Sequence, residues 1–129
     1  MVYDSARSRV VVFAGAGQNG SHDVWEYDGA TWTERTSTPS PSDRLAPCGA
    51  YDAARGVTVV FGGRSSDKET ALDDTWEWDG SEWRAGPGGP PARRSCAMAY
   101  DAARDAIVMF GGSPPGRPGS GLADTWVYE

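Results

Sequence analysis

Few residues of this 129-residue chain carry the chemistry of a catalytic or metal-binding group. His22 is the only histidine, and a lone loop histidine is more often an ordinary surface residue than a general base. The carboxylates of Asp67, Glu69, Asp73 and Asp74 are the kind of ligand calcium takes, but their spacing matches no EF-hand loop. A solvated acidic loop is the simpler interpretation. The sequence therefore predicts no catalytic residue, no metal site and no cofactor.

The glycine-rich segment from Gly15 to Gly20 has the spacing Gly-x-Gly-x-x-Gly. A dinucleotide-binding loop with that spacing must open a helix within a βαβ unit. Here the segment leads into another strand pattern. We expect no nucleotide site in it.

The two cysteines are too few for a disulfide framework or a structural zinc site. Cys48 lies three residues before Tyr51, and Cys96 lies four residues before Tyr100. On extended strands these offsets direct the two side chains to opposite faces. We therefore expect two free thiols in preference to a disulfide.

Composition and charge limit the classes of partner. The formal net charge is −6, which argues against non-specific attraction to nucleic acid or anionic lipid. No apolar run approaches the roughly 20 residues that span a bilayer, and the N-terminus does not resemble a signal peptide. A soluble protein is expected, and its compartment is not indicated.

The chain contains three copies of one pattern. Tyr3, Tyr51 and Tyr100 open the copies at separations of 48 and 49 residues. An apolar strand follows each tyrosine, and a strand with alternating aromatic residues comes after a loop of varying length. Later positions of the pattern repeat glycine and tryptophan: Gly62, Gly63, Gly111, Gly112, Trp25, Trp76, Trp126, Trp32 and Trp83.

Each copy predicts a four-stranded antiparallel meander. The second strand is almost continuously apolar, which indicates burial on both faces. An Asp-Gly pair, Asp28-Gly29 or Asp79-Gly80, supplies the positive φ of a tight hairpin turn before the fourth strand. The third copy stops at Glu129, before a fourth strand.

These features resemble kelch repeats, whose blades carry a Gly-Gly doublet after the second strand and Tyr and Trp at fixed later positions. The first copy departs from the pattern with Ala14-Gly15. The resemblance implies an all-β fold, a kelch-type half-propeller. Its blades would span residues 1–38, 39–87 and 88–129, the third lacking its outermost strand.

Most of the repeated residues are expected to serve the fold. Tyr and Trp of the third strand would pack between adjacent blades. The aspartate and arginine that recur in the first hairpin of every copy would make turn hydrogen bonds or ion pairs. These residues are Asp4, Asp52, Asp101, Arg7, Arg55 and Arg104.

A meander places the connections after its second and fourth strands at one end of the blade. Those connections contain the variable segments, where recognition usually lies: residues 16–22, 36–47, 64–73, 86–95 and 113–123. They carry six basic residues against four acidic ones on an acidic chain. The loop face is therefore mildly basic.

Four arginines on these loops are the candidate ligand-binding residues: Arg44, Arg93, Arg64 and Arg117. Arg44 and Arg93 each lie seven residues before the tyrosine of their copy. In kelch-like proteins such positions often face the ligand, so these two arginines would hold a carboxylate of an acidic peptide or glycan. The alternative is that they stabilise the crossover between blades.

Three functions remain open on the sequence. The first is a module that binds a protein or glycan on its loop face and is not an enzyme. The second is a fragment of a larger kelch-propeller enzyme, of the oxidase, epimerase or lyase type, with catalytic residues outside this chain. The copper oxidases of that group need paired histidines and a Tyr–Cys cross-link, which this sequence cannot supply. The third is a purely architectural fragment.

Self-association is the last expectation. A blade buries both faces against its neighbours, so three isolated blades leave two outer faces exposed to water. Kelch rings commonly have six or seven blades. A homodimer that completes a six-bladed ring about a two-fold axis is therefore predicted. The alternative is that the chain is truncated from a longer propeller.

Overall fold

The computed structural model describes residues 1–15, 21–66, 70–117 and 119–129, without the side chains of residues 14–15 and 21–23. Within those ranges the chain forms thirteen strands and no helix. The strands assemble into three antiparallel meanders and one short two-stranded pair. We call the meanders blades 1, 2 and 3 in chain order.

Blade 1 is a four-stranded meander in which neighbours in sequence are neighbours in the sheet. Its strands are β1 (Val2–Asp4), β2 (Arg9–Gly15), β3 (Ser21–Tyr27) and β4 (Trp32–Arg35).

Blade 2 repeats this order, and a short pair lies beside it. The pair joins β5 (Arg44–Leu45), which precedes the blade, to β8 (Arg64–Ser65), which lies in the loop between its second and third strands. The blade itself consists of β6 (Cys48–Asp52), β7 (Val57–Phe61), β9 (Thr75–Trp78) and β10 (Trp83–Ala85).

Blade 3 has three described strands, β11 (Ala97–Asp101), β12 (Ala106–Phe110) and β13 (Thr125–Tyr128). Strands β1, β6 and β11 are the first of their blades and lie against one another in that order. They are therefore the innermost strands. The all-β propeller architecture predicted from the repeat is confirmed.

The turn chemistry expected of the repeat is present. In blade 1 the carboxylate of Asp4 accepts hydrogen bonds from the backbone N–H of Arg7 at 3.0 Å and from its Nε at 2.7 Å. Asp52 and Arg55 repeat both contacts in blade 2. These short-range bonds join residues three apart and fix the turn between the first two strands.

The Gly-Gly doublet is needed for backbone geometry. Gly62 and Gly63 have φ of 62° and 101°, a region that side chains disfavour. A Cβ on Gly63 would lie 3.0 Å from the carbonyl oxygen of Leu45 and 3.2 Å from Pro47. The doublet therefore lets the chain leaving β7 pass close to the crossover that enters blade 2.

Each blade has two faces, distinguished by the alternation of side chains along its second strand. The front face points toward the following blade, and the back face points toward the preceding one. Val11, Val59 and Val108 lie on front faces, whereas Val12, Val60 and Met109 lie on back faces.

The core lies between blades. Between blades 1 and 2, the front-face residues Val11, Phe13 and Val24 pack against the back-face residues Trp78 and Trp83. Between blades 2 and 3, the cluster contains Ala50, Val59 and Ile107. The prediction that third-strand aromatics pack between blades is confirmed in blade 2, where Trp78 is only 1% exposed.

The cysteine prediction is wrong, because Cys48 and Cys96 form a disulfide with their Cα atoms 5.5 Å apart. Cys48 opens β6, but Cys96 precedes β11 and is not part of that strand. Ser95, with φ of 55°, turns the chain just before it. Counting alternation backward from Tyr100 therefore failed. It assumed that the extended strand reaches back to Cys96, whereas β11 begins only at Ala97. The bond links the innermost parts of blades 2 and 3.

Candidate ligand-binding cleft on the loop face

The crossover into blade 3 lies between the loops of two blades. The backbone N–H of Gly63 donates to the carbonyl of Arg93 at 2.9 Å, and the N–H of Arg93 donates to the carbonyl of Leu72 at 3.2 Å. The next residue, Arg94, exchanges two backbone hydrogen bonds with Ser113 of blade 3. Residues 93–94 thus join the loop of blade 2 to the loop of blade 3.

Arg44 is buried, with 3% of its surface exposed, and its guanidinium group is fully engaged. Nη1 and Nη2 form a two-pronged ion pair with the carboxylate of Asp74 at 2.7 and 2.8 Å. The remaining hydrogen bonds go to the carbonyl of Gly62 and to Ser42. No N–H of this group is left for a ligand.

Arg93 repeats the arrangement one blade later. It is 1% exposed, pairs with both carboxylate oxygens of Asp124 at 2.7 and 2.9 Å, and donates to the carbonyl of Gly111 at 3.0 Å. The proposed ligand-binding role of Arg44 and Arg93 is therefore replaced by the alternative, stabilisation of the crossover. An arginine buried beside the Gly-Gly doublet satisfies carbonyl groups that the doublet leaves without sheet partners.

The carboxylates of these pairs are held in the charged form. Partial burial opposes ionisation of Asp74, but hydrogen bonds from Arg44 and Trp76 outweigh it and hold the pKa of Asp74 below its ordinary value. Hydrogen bonds from Arg93 and Trp126 lower the pKa of Asp124 in the same way. The indole N–H groups of Trp76 and Trp126 therefore help to keep these two loop carboxylates ionised.

A cleft of about 180 Å³ lies next to the second crossover. Arg94 enters it from the crossover, Arg64 from the loop of blade 2 and Arg117 from the loop of blade 3. The rest of the lining is small or rigid, and consists of Ala71, Pro114, Pro115 and Gly116. The three arginines that line the cleft therefore come from three separate segments of the chain.

Two of these arginines have no acidic partner in the part of the chain that the structure describes. No ion pair of Arg94 or Arg117 occurs among those residues, and Arg117 is exposed whereas Arg94 is half-buried. Unpaired guanidinium groups that share a concave surface favour an anionic occupant, because each can donate two parallel hydrogen bonds to a carboxylate.

The structure brings together two of the four predicted residues, Arg64 and Arg117. Arg94 is an addition to the predicted set. A signal for it was present in the sequence, since Arg94 directly follows the repeated Arg93. In extended backbone, neighbouring side chains point to opposite sides, so a buried Arg93 directs Arg94 outward.

The other candidate sites have less structural support than the cleft. Asp74 of the acidic loop is committed to Arg44, whereas Asp67 and Glu69 lie outside the described residues, as does most of the Gly15–Gly20 segment. The side chain of His22 is likewise outside the description. Over the described residues, no group of three His, Cys, Asp or Glu side chains is arranged to hold a metal ion.

In the described ranges no helix is long and apolar enough to cross a membrane.

Comparison with known proteins supports the fold. No protein-family model and no curated protein matches the sequence. Among solved structures, the chain is similar to one described as "Structure of YjhT", with a TM-score of 0.70 and 12% sequence identity. The match covers 91% of this chain and 38% of that one. The chain therefore has the fold of part of a β-propeller, and it spans well under half of the chain that it matches.

Proposed function

We propose that this chain is an interaction module of the kelch-repeat type, and that its loop face binds an anionic ligand, an acidic peptide or a carboxylate-bearing glycan. The observation that carries the proposal is the convergence of Arg64, Arg94 and Arg117 on one cleft. The chain as a whole has a net charge of −6. A local cluster of guanidinium groups on such a chain needs a specific reason, and recognition of an anion supplies one.

The size of the cleft limits what it holds. At about 180 Å³ it is smaller than the roughly 300–1,000 Å³ of a pocket for a drug-sized ligand. It suits one carboxylate-bearing group, such as a glutamate side chain or one uronic acid unit. The remainder of the ligand would lie across the neighbouring loops.

Rigidity favours binding at this position. Pro114 and Pro115 restrict the backbone of the blade 3 loop, and the Arg94–Ser113 bridge joins that loop to the crossover. Side chains mounted on a constrained loop lose less conformational entropy when a ligand arrives. The cleft therefore has walls of constrained backbone.

A labelled hexaglutamate peptide and an oligogalacturonate are suitable probes, with binding followed by fluorescence anisotropy and calorimetry. Replacement of both Arg94 and Arg117 by Gln removes two charge-assisted interactions, and we expect affinity for the recognised probe to fall at least about tenfold. Arg84→Gln is the matched control, because Arg84 lies on β10 outside the cleft.

The outcomes separate the candidate functions. Loss of binding in the double variant with normal binding in Arg84→Gln supports the module. Equal loss in both variants indicates attraction to charge in general and contradicts a defined cleft. If neither probe binds, the anion-binding module is wrong, and an architectural role or a part in a larger propeller enzyme becomes the better explanation.

A further inference from the structure

The disulfide lies close to the candidate cleft. Two crossovers lead into blades 2 and 3, and we call residues 44–47 the first crossover and residues 93–96 the second. Arg94 of the cleft belongs to the second crossover, which ends at Cys96. The partner, Cys48, opens β6 directly after the first crossover. The bond therefore ties the segment that carries Arg94 to the strand that follows the first crossover.

The first crossover in turn supports Arg64. Leu45 pairs with Arg64 in the short pair of β5 and β8. The backbone N–H of Ser95 donates to the carbonyl of Ala46 at 2.9 Å, so the two crossovers also meet directly. Arg64 and Arg94 are therefore connected through the crossovers, by backbone hydrogen bonds and by one covalent bond. The position of one arginine relative to the other depends on how firmly the crossovers are joined.

The two crossovers are equivalent in structure. Each contains a residue other than glycine in the left-handed region, Ala46 with φ of 51° and Ser95 with φ of 55°. The next residue is Pro47 in the first crossover and Cys96 in the second. A Cβ on the second glycine of the doublet would lie 3.2 Å from the Cα of Pro47 in blade 2 and 3.3 Å from the Cα of Cys96 in blade 3. Pro47 and Cys96 therefore occupy the same place.

These two residues restrain their crossovers in different ways. The ring of Pro47 fixes one backbone angle permanently. Cys96 has no such ring, and it follows Ser95, whose positive φ lies in a sparsely populated region that the surrounding structure must maintain. The bond from Cys96 to Cys48 supplies a restraint of its own. Unlike a proline ring, this restraint can be removed by a reductant.

We propose that the bond between Cys48 and Cys96 positions Arg94 in the cleft, so that the affinity of the cleft for an anion depends on the oxidation state of these cysteines. This inference rests on the proposed function, since it concerns the same cleft. The disulfide form holds the second crossover against the first and keeps Arg94 in register with Arg64. In the dithiol form the segment around Ser95 gains conformational freedom, and binding of an anion must remove that freedom again.

A small dithiol is the reductant that converts one form into the other. Cys48 is 2% exposed and Cys96 is half-buried, so the sulfur of Cys96 is the more accessible to a thiolate. Its attack forms a mixed disulfide with Cys96 and breaks the bond to Cys48, whose sulfur leaves as a thiolate and takes up a proton. The second thiol of the reagent then closes a cyclic disulfide and releases Cys96, which is protonated in turn. Two electrons and two protons pass from the reagent to the protein.

Fluorescence anisotropy with the hexaglutamate and oligogalacturonate probes tests the proposal on the disulfide form and on the chain reduced with dithiothreitol. We expect reduction to weaken binding of the recognised probe about tenfold. The double variant Cys48→Ser, Cys96→Ser should bind as weakly as the reduced chain, with or without the reductant. Circular dichroism accompanies each titration, in sucrose at a concentration that stabilises the folded state of both forms.

Thermodynamic linkage gives a second readout, which a purely structural bond would not change. If the disulfide strengthens anion binding about tenfold, the bound anion favours the disulfide over the dithiol by the same factor. A saturating concentration of the recognised probe should therefore shift the exchange equilibrium with dithiothreitol about tenfold toward the disulfide, or about 30 mV for a two-electron couple. Alkylation followed by intact-mass spectrometry measures the two fractions. The double variant Arg94→Gln, Arg117→Gln retains both cysteines and is the matched control, in which the probe should cause no shift.

The outcomes separate this inference from the proposed function. If the disulfide form binds neither probe, both are wrong. Equal affinity of the two folded forms overturns the inference alone and leaves the cleft as a binding site. A reduced chain that loses its β-sheet signal at every sucrose concentration shows that the bond maintains the fold as a whole, which also overturns a specific role in the cleft. An equal probe-induced shift in the arginine variant would contradict the coupling through Arg94.

Discussion

Arg44 and Arg93 show how a repeated charge can belong to the fold. Each guanidinium group forms an ion pair with a carboxylate in the loop before the third strand of its own blade. The same carboxylate also accepts a hydrogen bond from an indole N–H, that of Trp76 at 2.7 Å or that of Trp126 at 2.6 Å. A buried arginine is tolerated only when its donors are satisfied. These donors are satisfied by groups that recur with the blade.

Replacing Arg44 by Gln tests this structural role. Loss of the guanidinium group removes the ion pair with Asp74 and the hydrogen bond to the carbonyl of Gly62. We expect the free energy of unfolding to fall by about 2–4 kcal/mol, below the full value for a buried pair because Asp74 is partly exposed. Urea denaturation followed by tryptophan fluorescence measures it. Arg84→Gln should leave the midpoint unchanged, and an equally stable Arg44→Gln protein would contradict the assignment.

Glu26 makes stability depend on pH. Burial opposes its ionisation, but hydrogen bonds from Trp78 and Arg7 prevail and lower the pKa of Glu26 below its ordinary value. A depressed folded pKa contributes stability above the unfolded value of about 4.3, and that contribution is lost as the pH falls through the folded pKa. Stability should therefore decline from pH 6 to pH 3.

The variant Glu26→Gln isolates this contribution. Its amide oxygen still accepts from Trp78, but it cannot form the ion pair with Arg7. We expect it to be less stable than the unmodified chain at pH 7, by about 1–3 kcal/mol, and to show a flatter decline toward pH 3. Denaturant titrations at both pH values give the comparison. An unchanged slope would show that other carboxylates, such as Asp4 and Asp74, dominate the acid response.

At the scale of strands and turns, the sequence was informative wherever contacts are local. Asp4 with Arg7 and Asp28 with Gly29 lie within a few residues of each other, so spacing alone predicted their turns. The pairing of Cys48 with Cys96 depends on how two blades meet, and on a positive φ at Ser95. Neither is encoded in a short window of residues, and strand alternation gave the wrong answer.

The candidate cleft was predictable in part for the same reason. Arg64 and Arg117 were indicated by loop position and charge. Arg44 and Arg93 have the same charge and lie on the same loops, and only their carboxylate partners, about 30 residues away along the chain, distinguish them as buried. Such a partner can be identified only from the fold, which brings the start of each third strand beside the crossover.

The disulfide joins two blades across 48 residues. In the chain-entropy treatment, closing a loop of that length restricts the unfolded chain by about 4 kcal/mol. We expect the double variant Cys48→Ala, Cys96→Ala to lose about 2–4 kcal/mol of unfolding free energy in urea titrations.

Intact-mass spectrometry before and after thiol alkylation checks the pairing itself. A chain purified without reductant should resist alkylation under denaturing conditions and gain two labels after reduction. Labelling of both cysteines without reduction would show free thiols. A reductant-treated chain should match the double variant in stability, which separates the bond from the effect of the alanines.

At the scale of the whole molecule, the candidate cleft depends on how two blades meet, because Arg64 belongs to the loop of blade 2 and Arg117 to the loop of blade 3. A ligand with several carboxylates would place one of them in the cleft, and its remainder would lie across the neighbouring loops.

The ion pair between Arg44 and Asp74, repeated by Arg93 and Asp124, has a consequence for the history of such chains. Both partners of each pair fall within one repeat, so a duplication or deletion of a whole repeat carries the cation and the anion together. Ring size can then change in ancestral genes without leaving a buried guanidinium group alone.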